Sequence, residues 1–215
     1  LSREARLEGR PGIAPAGTTT QFVVGARGER DRDILGVVSG LERQGLLHHA
    51  HFSAFQPVEG TPMEGLPATP AAREWRLYQA DHLLRQYGFR VDELVFGGDG
   101  NLTLEHDPKT AWALAHAERF PIPLERAPYE LLLRVPGIGP TAARRLVTER
   151  RRTLPRDAQD LRRLGVDATR AGYFLTVRGR RVRAQLPAEQ LRLFPAGGHL
   201  TQGPWRTSVP PCAYR

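Results

Sequence analysis

The chain of 215 residues has one cysteine, Cys212, and one lysine, Lys109, among its 31 basic residues. A single cysteine excludes a disulfide within the chain and any cysteine-rich metal site. No apolar run approaches the ~20 residues a membrane-spanning helix needs. No secretory signal pattern opens the sequence, so the expectation is a soluble, cytoplasmic protein without a membrane partner. An initiator methionine is also missing, since the sequence begins at Leu1. The expectation drawn from it is a piece of a longer product.

What is abundant is arginine, glycine and proline. The length suits one large or two small domains, and 22 Gly with 18 Pro imply many turns. The net charge of +8 is concentrated. Between Arg134 and Arg183 there are 14 arginines and 4 acids, a net of +10, which leaves −2 for the rest. A charge gathered in one segment points to a polyanion as partner.

The pattern predicts an α/β part followed by an all-α part. Thr20–Gly25 and Ala50–Phe55 are read as strands and Asp31–Leu47 as a helix, a strand–helix–strand unit of parallel type. Thr69 is expected to cap a helix with Pro70 at its first position, running to about Tyr87 and ending at Gly88. Phe89–Glu105 is expected to be irregular, with a turn at Gly97–Asn101. Asp107-Pro108 opens a helix to about Ala117. Phe120–Pro123 is taken as a domain boundary, and the sequence from Glu125 reads as all helical. The expected domains are 1–118, 119–178, and a basic, largely disordered tail over 179–215.

The sharpest motif is Leu131–Val147, LLLRVPGIGPTAARRLV. A helix end feeds Pro136-Gly137-Ile138-Gly139, and a new helix starts at Pro140. Glycines allow the tight turn and expose backbone N–H groups. The new helix adds unpaired donors, Thr141 among them, and the positive end of its dipole. Together they form a cup for an anion. Ile138 is expected to plug the turn from within, and Ala143 to let the two helices approach. Arg144 and Arg145 stand one turn on, in reach of neighbouring phosphates. The competing reading is an ordinary helix end followed by a helix-opening proline.

These residues resemble the helix-hairpin-helix motif of DNA repair and DNA-processing proteins. The resemblance implies that the hairpin amides bind the DNA backbone without reading sequence. A weaker second copy is read in Asp157–Arg163, Leu164-Gly165-Val166 and a return helix Asp167–Leu175. Lacking Gly-Ile-Gly, it is expected to serve packing more than phosphate binding. The lyase-type DNA glycosylases are rejected, because Pro140 and Thr141 stand where they carry a lysine.

The N-terminal half carries a second resemblance. AGTTTQFVVGARGERDRDIL and HFSAFQPVEGTPMEGLPATPAAREWRLYQADHLLRQYGF are similar to later barrel units of radical S-adenosylmethionine proteins, with Gln56–Pro62 resembling their strand-end loop. The succession of RLYQADHLLRQYGF, DPKTAWALAH and VPGIG resembles DNA modification and repair radical S-adenosylmethionine proteins that end in a helix-hairpin-helix. The similarity covers about Ala16 to Leu175. It implies a partial (β/α) barrel joined to a tandem helix-hairpin-helix domain, with Thr18–Gln21 near the cofactor in a complete protein. That family holds a [4Fe–4S] cluster through a Cys-x3-Cys-x2-Cys loop, and this sequence has none. The cluster and S-adenosylmethionine are therefore expected only of the full-length family. This chain is expected to have no catalytic residue, no cofactor of its own and no catalysis alone.

Other candidates carry less. His49 and His51 share a strand face but lack a local carboxylate or cysteine, so no metal site is expected. Asp99-Gly100-Asn101 reads as a turn, Asp81-His82 as helix surface, and Ser53 has no nucleophile context. Gln190-Leu191-Arg192-Leu193-Phe194 resembles the peptides with which bacterial polymerases and repair proteins bind the sliding clamp. Gln190 and Leu191, Leu193 and Phe194 would set register and fill an apolar pocket; an amphipathic turn packed on the body is the other reading. Arg178–Arg183 reads as a further phosphate-binding run. The function expected is non-sequence-specific DNA binding in repair or modification. The alternatives are a non-enzymatic adaptor that recruits the clamp, and a decayed fragment without activity.

Overall fold

Strand β1 (Thr19–Val24), helix α1 (Asp31–Arg43) and strand β2 (His49–Ala54) form the expected strand–helix–strand unit. A computed structural model of the chain describes residues 17–182. The two strands are parallel, in register from Thr19↔His49 to Val24↔Ala54. Alternation puts Val24, Ala50 and Phe52 into the core with Ile34, Leu35 and Val38 of α1. The opposite face, with Thr19, Gln21, Val23 and His51, is exposed. Among the described residues, helices therefore cover one face of this ribbon only.

Helix α2 (Ala71–Gln86) begins one residue later than the sequence predicts. Pro70, not Thr69, occupies the cap position, and no side chain caps this helix. Thr69 is buried instead. Asp81 corrects the expectation of helix surface. It is fully buried beside Arg85, and burial raises its carboxyl pKa.

The segment after α2 is held by a polar knot. Asp31 accepts hydrogen bonds from Arg73 Nε at 2.8 Å and Leu102 N at 2.9 Å. Asn101 Oδ1 accepts from Arg73 Nη2 at 3.0 Å and from Asp31 N at 3.1 Å. The knot pins the Gly97–Asn101 turn to the start of α1. Helix α3 (Pro108–Ala115) follows, capped by the Asp107 carboxylate on the N–H groups of Lys109 and Thr110.

The C-terminal part is not all helical. It contains β3 (Ile122–Pro123), α4 (Tyr129–Leu132), α5 (Pro140–Glu149), α6 (Ala158–Arg163), α7 (Ala168–Ala171), β4 (Leu175–Val177) and β5 (Arg180–Arg181). The return helix expected over Asp167–Leu175 stops at Ala171, and Leu175 starts a strand. The reason is both local and tertiary. Tyr173–Val177 is aromatic and β-branched. The prolines at 121 and 123 keep an extended partner ready, on which β4 pairs in parallel through Ile122↔Leu175. Arg178 and Gly179, both at positive φ, then make the tight turn to antiparallel β5. Arg180 and Arg181 thus belong to a strand, although the sequence places them in a disordered tail. Residues 183–215 lie outside the described part.

One apolar cluster runs from Val24 to Val177. It crosses the boundary expected at 118/119. Trp112 meets Phe120, with ring centroids 6.3 Å apart, and Phe120 meets Phe174 at 5.1 Å.

Candidate nucleic-acid interface

Helix α4 leads through Val135 and Pro136 into the turn. Ile138 N donates to Val135 O at 3.2 Å, and Ile138 is buried. Its side chain is the internal plug the sequence suggests. Gly139 takes the cap position of α5 and offers no side chain to it. Pro140 follows at the first helical position. The first intrahelical bond is Ala143 N to Gly139 O, at 2.8 Å. The N–H groups of Thr141 and Ala142 are thus first-turn donors without a helical acceptor. Thr141, Arg144 and Arg145 are exposed. Among the described residues no ion pair engages Arg144, Arg145, Arg151, Arg152 or Arg162.

Not every arginine of the basic segment is available. Arg134 donates to Glu93 at 2.9 Å and lies over the Phe89 ring at 3.7 Å. Arg150 donates to the carbonyl oxygens of Leu124 and Ala127. Arg170 pairs with Asp107. These three cations hold the fold together.

Gly137 has a packing role in addition to the tight turn its sequence context suggests. Its φ is +81°, where side chains are strained. A Cβ on it would lie 2.7 Å from Asp167 O and 2.9 Å from Arg170 Cβ. Its carbonyl accepts from Asp167 N at 2.9 Å. Gly137 is therefore required by the approach of α7.

The second turn answers the first. Gly165 has φ +87°, and a Cβ there would approach Arg145 Nη1 and Ala142 Cβ of α5. The first turn backs onto α7 and the second onto α5, a reciprocal arrangement. Ile138 corresponds to Val166, both buried, and Gly139 corresponds to Asp167. At this last position the chemistry differs. The Asp167 carboxylate accepts from Thr169 N at 3.1 Å and Arg170 N at 3.2 Å. The second helix start is thus filled by its own anion, whereas no side chain among the described residues caps the first.

Beneath the first turn lies Lys109, which in the sequence stands out only as the single lysine. Its Nζ donates to Ile138 O at 2.5 Å and stands 4.4 Å from the centre of the Tyr87 ring. Burial holds its ammonium well below the usual lysine range. Burial also pushes the Tyr87 phenol up. A lone lysine in an arginine-rich chain was the available signal. A compact ammonium suits a single carbonyl acceptor, whereas a guanidinium presents a planar fork of donors.

His49 and His51 do touch, with ring centroids 4.6 Å apart. Among the described residues no group of three or more His, Cys, Asp or Glu could hold a metal ion. No described helix is long and apolar enough to cross a membrane. Gln190, Leu191, Leu193 and Phe194 lie outside the described residues. No protein-family model matches the chain, and comparison with curated proteins and with solved structures returns no match.

Proposed function

We propose that the chain binds DNA through the sugar–phosphate backbone, at the open start of α5. The observation that carries this reading is the uncapped first turn after Gly139 beside exposed Arg144 and Arg145, which have no ion pair among the described residues. A backbone phosphate accepts from the N–H groups of the first turn and meets the positive end of the helix dipole. The two arginines neutralise the phosphates on either side. Such contacts carry no base information, so binding is weakly selective for sequence. The reciprocal turns support a tandem helix-hairpin-helix in which only the first copy contacts DNA.

The resemblance of the N-terminal half supports a role in DNA repair or modification. A [4Fe–4S] cluster needs several thiolates, and this chain offers Cys212 alone. Its residues do not fit that cofactor, so the proposal stops at DNA binding.

The test is binding of a labelled duplex by the full chain over a salt series, with two unrelated sequences. The expected result is equal affinity for both and a log–log slope of about −0.9 per phosphate neutralised. Affinity indifferent to salt, or strong preference for one sequence, would overturn the reading.

A further inference from the structure

The peptide that leads into α5 is held from behind by a buried cation. Lys109 of α3 is 6% exposed, and its Nζ donates to Ile138 O at 2.5 Å. Ile138 O and Gly139 N belong to one trans peptide, so the N–H points away from the carbonyl oxygen. Lys109 therefore fixes the Gly139 N–H on the side opposite to itself. No backbone carbonyl among the described residues accepts from Gly139 N. With Thr141 and Ala142 it completes the free donors at this helix start.

Packing alone does not account for a lysine here. Burying an ammonium costs more than one hydrogen bond returns. Among the described residues no ion pair engages Lys109. The charged and titratable groups around it are Asp107, Arg170, Arg134, His82 and Tyr87. Asp107 and Arg170 are paired with each other, and Arg134 with Glu93. Burial holds the His82 imidazole below its usual range and the Tyr87 phenol above its own, and the arginines keep their charge. Burial also loosens the proton of Lys109 itself.

Given the proposed DNA site at the start of α5, on which this step rests, we infer that Lys109 is its positioning residue. A phosphate at Gly139 N and the proton on Lys109 stabilise each other through the Ile138–Gly139 peptide. The ammonium draws electron density toward Ile138 O, which makes the Gly139 N–H a stronger donor. The phosphate in turn favours the charged form of the lysine. The coupling is reciprocal. One unit charge acting across a single peptide is worth about tenfold in affinity. Duplex binding therefore takes up a proton. Affinity falls as pH rises from the Lys109 midpoint of the free protein to that of the complex, and is level outside that window.

Lys109 is the only lysine, so isotope-labelled lysine gives the unmutated full chain a single side-chain NMR signal that reports its charge. Its pH titration is measured free and with saturating duplex. The proton affinity of Lys109 is expected to rise about tenfold in the complex. The rise is expected to persist at moderate salt, since a buried interaction is little screened. An unchanged titration in a complex that does form would overturn the inference and leave DNA binding standing. A rise that disappears with salt while the duplex stays bound would mark the diffuse field of a polyanion and overturn it too. Absence of duplex binding at every pH would overturn the DNA reading and this inference together. As a second measurement, wild-type duplex affinity is expected to fall with rising pH relative to folded Lys109→Met. Parallel affinity profiles would contradict the coupling.

Discussion

Gly139 and Asp167 hold the same position in two reciprocal turns and do opposite things. Asp167 places a carboxylate on the first N–H groups of α7, while Gly139 leaves those of α5 open. One turn is finished internally, and the other is the one proposed to take an external anion. Replacing Asp167 by alanine removes the cap and is expected to cost about 1 kcal/mol. Urea denaturation reads that loss, and duplex affinity in the folded protein is expected to stay unchanged. A large fall in affinity would mean that the second turn, too, contacts DNA.

Gly137→Ala is expected to damage the fold before it touches binding. The substitution meets a positive φ and a backbone oxygen 2.7 Å from the new Cβ. The combined cost is about 3 kcal/mol. A chemical denaturation midpoint equal to that of the wild type would contradict the packing described for this turn. Weak DNA binding by this variant alone therefore reports unfolding.

Lys109 gives the fold a pH dependence whose direction follows from its burial. Its folded-state pKa lies well below the ordinary 10.5, so unfolding takes up a proton between those values. Its contribution is full above 10.5, declines as pH falls toward the folded-state pKa, and levels off below it. Stability is expected to rise with pH on the approach to 10.5, relative to Lys109→Met. That variant also strips the donor from Ile138 O, at a cost of about 1–3 kcal/mol. Urea denaturation of both proteins over the alkaline range checks this, and parallel pH profiles would contradict it.

The sequence made some of this legible. Apolar runs framed by Gly and Asp located β1, α1 and β2, because they pair and pack with near neighbours in the chain. Pro-Gly-Ile-Gly located the turn. The strand at Leu175–Val177 was hidden because its partner is Ile122–Pro123, far off in sequence. Charge counting could not separate Arg144, which is exposed, from Arg150, which holds the carbonyl oxygens of Leu124 and Ala127. Asp81 reads as surface until Arg85 and β2 close over it. The role of Asp167 becomes visible only when the two turns are aligned on their buried Ile138 and Val166.

The most direct measurement copies the second turn into the first. Gly139→Asp needs no special backbone, since φ is −92°. Its Cβ would meet the Tyr87 hydroxyl at an ordinary 3.5 Å. Asp is as good a cap as Gly or better by a few tenths of a kcal/mol, so the fold is expected to keep its stability. Its carboxylate occupies the donors and repels phosphate. Duplex affinity of the full chain at moderate salt is expected to fall by about tenfold or more, the equivalent of about 1.4 kcal/mol. A stable Gly139→Asp protein that binds duplex as tightly as the wild type would contradict the claim that the open start of α5 grips phosphate.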